Sequence, residues 1–242
     1  MNRSKVSPMS LDSARMNAKR SSPNGPSSPA PGHRRFGVWA GAILWLAAFG
    51  VGAAPGGGAP DAAAATHVVE ELHAAMLATM KQGPQLGYQG RLERLGPAIA
   101  SRYDFAFIAE KSVGLAWKDF DADQRAKLVD AITRLAGATY AARMADFSGE
   151  RFETLGTEPA SQDTVLVHTQ IVDAAGGKVP LDYRLRATPA GPRIVDVFYD
   201  GTVSELAMRR SEYSSLLKKG GLDALLAALE KKIGEQPTAK PS

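Results

Sequence analysis

Apolar residues recur along this chain with two different periods, and the switch between them divides it. From Thr66, the positions Val68, Leu72, Met76 and Met80 step by four, which predicts a helix that Gly83-Pro84 ends. A second helix carries Leu92, Leu95 and Ile99, and Asp104 is placed to cap a third before Phe105, Phe107 and Ile108. Asp121 and Gln124 have the spacing of a capping box, opening a helix through Leu128, Ile132, Leu135 and Tyr140. The period then falls to two. "TVLVHTQIV" (164–172) puts Val165, Val167, Thr169 and Ile171 on one face, and "VPLDYRLRA" alternates through Val179, Leu181, Tyr183 and Leu185. "RIVDVFY" is a further strand and "RFETLGTE" (151–158) a weaker one, with turns at "AGG" (175–177) and "TPAG" (188–191).

The stretch "DVFYDGTVSELAMRRSEYSSLL" (196–217) reads as strand, turn at Asp200-Gly201, then helix, and "LDALLAALEKKI" closes the chain. On the first of these helices Val203, Leu206, Tyr213 and Leu217 form one stripe, with Arg210 in its middle on the buried side. There the Arg210 stem packs and its guanidinium pairs with Asp196 or Asp200, or else it faces a ligand. Helices, then strands joined by short turns, then helices predict an α+β fold: a curved antiparallel sheet of about four strands packed against several helices. Phe105, Phe107, Trp117, Tyr140, Tyr183, Phe198 and Tyr199, with Met76, Met80, Met144 and Met208, are either core or the wall of an apolar pocket between those layers.

Charge changes the picture once it is divided along the chain. The whole has 29 Lys+Arg against 25 Asp+Glu, but residues 1–35 hold seven basic residues and one acid, leaving 22 against 24. That remainder has no electrostatic case for nucleic acid. "HRRFGVWAGAILWLAAFGVGAA" has the layout of an export signal: two arginines, an apolar run from Phe36 to about Ala54, then small residues. Cleavage near Ala65 is expected, a retained anchor being the alternative, and a periplasmic location follows. The expected organisation is a leader over 1–65, one domain over 66–233 and a flexible tail over 234–242. The absence of cysteine removes thiolate chemistry and disulfides.

Catalytic patterns are missing. His67 and His73 stand six apart on one predicted helix, on opposite sides, and His168 lies on the outer face of a strand, so no metal site is read. No cofactor motif occurs. Asp182 and Asp196 could form a carboxylate pair acting as base on an apolar substrate, as in isomerases of the ketosteroid type. The simpler reading pairs Asp182 with Arg184 or Arg186 on a solvated face.

Four stretches in order, "RYDFAFIAEKSVGLAW" (102–117), "DQRAKLVDAITRLAGATYA" (123–141), "VPLDYRLR" (179–186) and "RIVDVFYDGTVSELAMRRSEYSSLLKKGGLDALLAAL" (193–229), resemble the MlaC or Ttg-type toluene-tolerance family of periplasmic lipid-binding proteins. "GTVSELAMRRSEYSSLL" is most similar to the hopanoid-associated branch, HpnM. The resemblance implies a monomeric, non-enzymatic carrier with no cofactor, which holds a hopanoid or phospholipid in an apolar pocket. It also implies partners at both membranes, an inner-membrane ABC transporter complex and an outer-membrane or hopanoid-handling protein. The positions matching family pocket residues are Tyr103, Phe105, Trp117, Tyr140, Tyr183, Val195, Val197, Arg210 and Tyr213. Pro192, where relatives carry Trp, and Thr202, after Gly201, depart from the family pattern.

Overall fold

The computed structural model describes residues 58–238; of the leader read over 1–65, its apolar run 36–54 lies outside them. Among the described residues are five α-helices, α1 (Ala62–Met80), α2 (Gly83–Ala100), α3 (Phe105–Val113), α4 (Ala122–Arg143) and α5 (Glu205–Glu235). The strands are β1 (Arg151–Ala160), β2 (Thr164–Val172), β3 (Lys178–Arg186), β4 (Arg193–Tyr199) and a two-residue β5 (Val203–Ser204). They pair in chain order, each antiparallel to the next. The α+β class and the meander are therefore as expected, with one short strand more. Among the described residues no helix is long and apolar enough to cross a membrane.

Short polar side chains set the helix starts. Asp104 accepts from the Phe107 amide at 3.0 Å, and Asp121 and Gln124 close the expected capping box with bonds of 2.8 and 3.0 Å. Each satisfies amides that a helix N-terminus leaves without partners. Asp61 caps α1 in the same way, so Ala62–Ala65, expected to end the leader, form its first turn, with Ala65 fully buried.

Strand register sorts side chains onto two faces because successive residues point to opposite sides. Val165 and Val167 stand opposite Leu185 and Tyr183, and Tyr183 opposite Val197; this face is buried against the helices. The other face carries Thr164, Leu166, Arg184, Arg186, Asp196 and Phe198. Two bulges interrupt the ladders. Leu155 is the extra residue in β1, where it is 60% exposed, and Val195 is the extra residue in β4, where it is buried. β1 lies at the sheet edge and is exposed along most of its length.

The closing helix is two helices. Gly220 and Gly221 leave helical geometry, Gly221 with φ of +66°, a conformation that penalises any side chain with a Cβ. A straight helix would separate residues 212 and 232 by about 30 Å. Lys232 Nζ instead lies 2.5 Å from Glu212 Oε1, so the second half folds back along the first. Its outer side is tied to α4 by Arg134, which bonds both Asp130 and Glu230.

One buried cation was not anticipated. Arg91 of α2 donates Nε to the Ala141 carbonyl at 2.7 Å and Nη1 to the Gly83 carbonyl at 2.9 Å. It joins the end of α4 to the start of α2, where the chains approach so closely that a Cβ on Gly83 would meet the Ala145 carbonyl oxygen at 1.9 Å. Arg91→Leu leaves both carbonyls unpaired and is expected to cost about 2–4 kcal/mol in urea unfolding.

Candidate functional site

The buried face of the sheet and the helices over it enclose a layer rich in tyrosine. Tyr183, in the middle of β3, is fully buried; its hydroxyl shares a 3.0 Å hydrogen bond with His73 Nε2 from α1, whose ring stacks on Phe152 at 4.0 Å. Tyr103 stacks on Phe105 at 5.3 Å and shares a 2.7 Å hydrogen bond with the Tyr140 hydroxyl. Tyr103 is held there because its neighbours Arg102 and Asp104 bond the backbone of Ile194 in β4, at 2.8 and 2.9 Å. Tyr213 of α5 is buried beside them, and Tyr199 reaches Arg143 at 3.5 Å. Burial pushes the Tyr103, Tyr140, Tyr183 and Tyr199 phenols up and Tyr213 to about 12. All five stay neutral, and within the apolar layer Tyr103 pairs with Tyr140 and Tyr183 with His73.

Of the nine residues assigned to a pocket, Tyr103, Phe105, Tyr140, Tyr183, Val197 and Tyr213 belong to or pack against this one core. Val195 is buried in the bulge of β4. Trp117 lies at the margin of the layer on the 3-10 turn Gly114–Asp119, edge-on to Phe120 at 6.5 Å and under Arg125 at 5.3 Å. The placing of Arg210 on the buried side of its helix is the correction. Arg210 is exposed, and among the described residues it makes no ion pair with Asp196 or Asp200. The inward arginine is its neighbour: Arg209 pairs with Glu205 at 2.6 Å, one helical turn back, and reaches toward the layer beside Tyr103. The stripe errs because Val203 belongs to β5 and is 45% exposed, so the helix begins two residues later than its apolar pattern. Met208, also expected in the core, is 47% exposed.

The two carboxylates proposed as a base are occupied. Asp196 Oδ1 accepts from the Val197 and Leu206 amides at 2.8 and 2.9 Å, and Oδ2 from the Ser204 hydroxyl at 2.6 Å. Asp182 accepts from the Thr169 amide at 3.2 Å and lies 3.1 Å from His168 Nδ1, not against Arg184 or Arg186. Arg186 pairs with Asp104 at 2.8 Å, and Arg184 lies 5.0 Å over the Phe198 ring. Among the described residues no three His, Asp or Glu side chains converge as a metal site would require.

A cavity also lies on the other face of the sheet. A cleft of about 370 Å³ opens between α3, the first turns of α5 and the outer face of the sheet, lined by Phe107, Lys111, Arg184, Val195, Leu206 and Arg210 among others. A void of about 10 Å³ under Leu206 and Val195, reaching Tyr103, Glu205 and Arg209, separates it from the tyrosine layer. Sequence reasoning missed this cleft and the Glu205–Arg209 pair. The four-residue spacing of Glu205 and Arg209 is a signal that could have found the pair.

Comparison with known proteins bears on the whole arrangement. The family model described as MlaC protein matches residues 70–231. No curated protein matches the chain. A solved phospholipid-binding protein from Ralstonia solanacearum, in complex with a phospholipid, superposes with a TM-score of 0.62 at 21% identity, covering 74% of this chain and 99% of that one.

Burial lowers the His73 pKa from 6.5 to about 4. Between those values the unfolded chain holds the extra proton and the folded one does not, so stability is full above about pH 6.5 and falls toward pH 4, by roughly 3 kcal/mol. Denaturant titrations across that range are expected to show the loss, and His73→Gln to flatten it.

Proposed function

The chain belongs to the MlaC family, and from that premise we propose that it is a lipid-binding carrier whose ligand enters the layer between the sheet and the helices. The observation carrying this reading is the shared fold with a phospholipid-bound protein over 74% of the chain. The residues lining the layer fit an apolar guest: Tyr103, Phe105, Tyr140, Tyr183, Val197 and Tyr213, with Met76 and Met80 from α1. Each methylene moved from water into such surroundings gains about 0.8 kcal/mol, so a pair of acyl chains or a fused-ring body supplies a large driving force. The layer is packed in this structure, so binding requires repacking. Unbranched Met side chains, with three rotatable bonds, accommodate that at low cost.

Within this reading the protein works in the periplasm, as members of its family do in general, and the leader over 1–65 is the signal that takes it there. It acts as a monomer that takes lipid from one membrane's complex and passes it to the other, an ABC transporter standing at the inner membrane. The hopanoid-associated branch, suggested by "GTVSELAMRRSEYSSLL" (201–217), makes a hopanoid the ligand to test first. The enzyme alternative finds no support in Asp182 and Asp196, whose oxygens are engaged in the fold.

Native mass spectrometry of the purified full-length chain is expected to show one lipid per protein, released by organic solvent. Protein that carries no lipid and takes none up from vesicles would refute the carrier. A diacyl phospholipid alone would remove the hopanoid assignment and leave the carrier standing. Asp182→Asn is expected to leave lipid loading unchanged.

A further inference from the structure

The outer cleft is not part of the tyrosine layer. Its sheet residues Thr164, Arg184 and Asp196 belong to the face opposite Tyr183 and Val197, and the bulge at Val195 forms part of its floor. Three cations line it, Lys111 from α3, Arg184 from β3 and Arg210 from α5, against one lining carboxylate, Asp196, and the Lys111 ammonium also lies 2.8 Å from Glu110 on its own helix. The Asp196 carboxylate is turned inward on two amides and a hydroxyl, and pairs with none of the three cations. Arg210 forms no hydrogen bond or ion pair among the described residues. Its guanidinium rests near Gly114, where a Cβ would lie 3.6 Å from Nη2. Arg184 Nε is buried with no hydrogen-bond partner. Between the cations the walls are apolar: Phe107, Val195, Leu206 and Ala207. The Phe107 ring already carries Lys111 at 5.1 Å and Arg186 at 4.9 Å.

We propose that this cleft is a binding site for a phosphate-type anion attached to an apolar stem. Guanidinium groups supply paired donors that match phosphate oxygens, and the ammonium of Lys111 adds a mobile point charge. The volume of about 370 Å³ suits a small group and its first carbons, within the range of small-molecule sites. Two sources share this chemistry, a lipid headgroup and a free phosphate ester. The headgroup version rests on the carrier reading: the phosphate would sit in the cleft while the chains pass Val195 and Leu206 toward the void beside Tyr103. The anion site itself does not depend on it.

Calorimetry on the full-length chain at low salt tests the assignment with three probes: inorganic phosphate, a short-chain phosphatidic acid below its micelle concentration, and the uncharged diacylglycerol with the same chains. Phosphatidic acid is expected to bind at least about tenfold more tightly than diacylglycerol, the effect of one or more charge-assisted hydrogen bonds. Arg210→Gln and Lys111→Gln, both at exposed side chains, are each expected to remove about tenfold of that preference, with diacylglycerol binding and thermal melting unchanged. Phosphate that binds, competes with phosphatidic acid and weakens in the same variants, while diacylglycerol does not bind, supports the site with a free ester as its ligand. Equal binding of the two lipids, insensitive to both variants, overturns the proposal, as does failure of both anions to bind. If the protein still carries co-purified lipid in those last cases, the carrier stands and only the cleft assignment falls. Phosphate binding that weakens in both variants of a chain that loads no lipid keeps the cleft site and removes the carrier.

Discussion

A single buried carboxylate determines where the last helix of this protein goes. Asp196 projects from β4 beside a bulge and gathers the Val197 amide, the Leu206 amide and the Ser204 hydroxyl. The strand and the first turn of α5 are thereby locked at one angle, aided by Ser204, which also caps the helix through the Ala207 amide at 3.0 Å. From that joint Glu205 and Arg209 project toward the tyrosine layer and Arg210 toward the cleft. Buried charge is costly unless hydrogen-bonded, and here the bonds it accepts come from the strand and the helix turn it joins. The aspartate read from sequence as a possible base is structural.

The layer above the sheet meets two opposed demands. It has to pack well enough to hold the fold and yet present surfaces a greasy guest can use. Two pairs of its polar groups, Tyr103 with Tyr140 and Tyr183 with His73, satisfy each other without water or ligand. A guest that displaces side chains from this layer without parting those pairs meets mainly rings and aliphatic walls. The pairs also join distant parts of the chain, α1 to β3 and the entry of α3 to α4, holding the frame while the filling rearranges.

Much of the architecture was legible because it is written in local patterns. The capping box at Asp121, the cap at Asp104 and the alternation of Val165, Val167, Tyr183 and Leu185 each need only neighbours in sequence, and each is found where the pattern puts it. The family resemblance supplied the aromatic positions, most of which share one core. What failed was phase. Arg209 and Arg210 differ by about 100° around a helix, and two residues of β5 at its start shifted the apparent stripe onto the wrong one. Contacts spanning long separations left no trace: nothing near His73 indicates Tyr183, 110 residues away, nor does Arg91 announce the carbonyl of Ala141. The outer cleft combines α3, β3, β4 and α5, and no single segment reveals it.

The exposed β1 strand bears on how this chain behaves among its own copies. Its outer backbone edge pairs with no other strand among the described residues, the kind of template on which sheets join and aggregate. Here the edge is interrupted by the bulge at Leu155, closes on Pro159, which has no amide to offer, and carries Glu153 and Glu158. A second copy laid along it would find a broken ladder. The strand that closes the sheet thus also limits its extension by further copies.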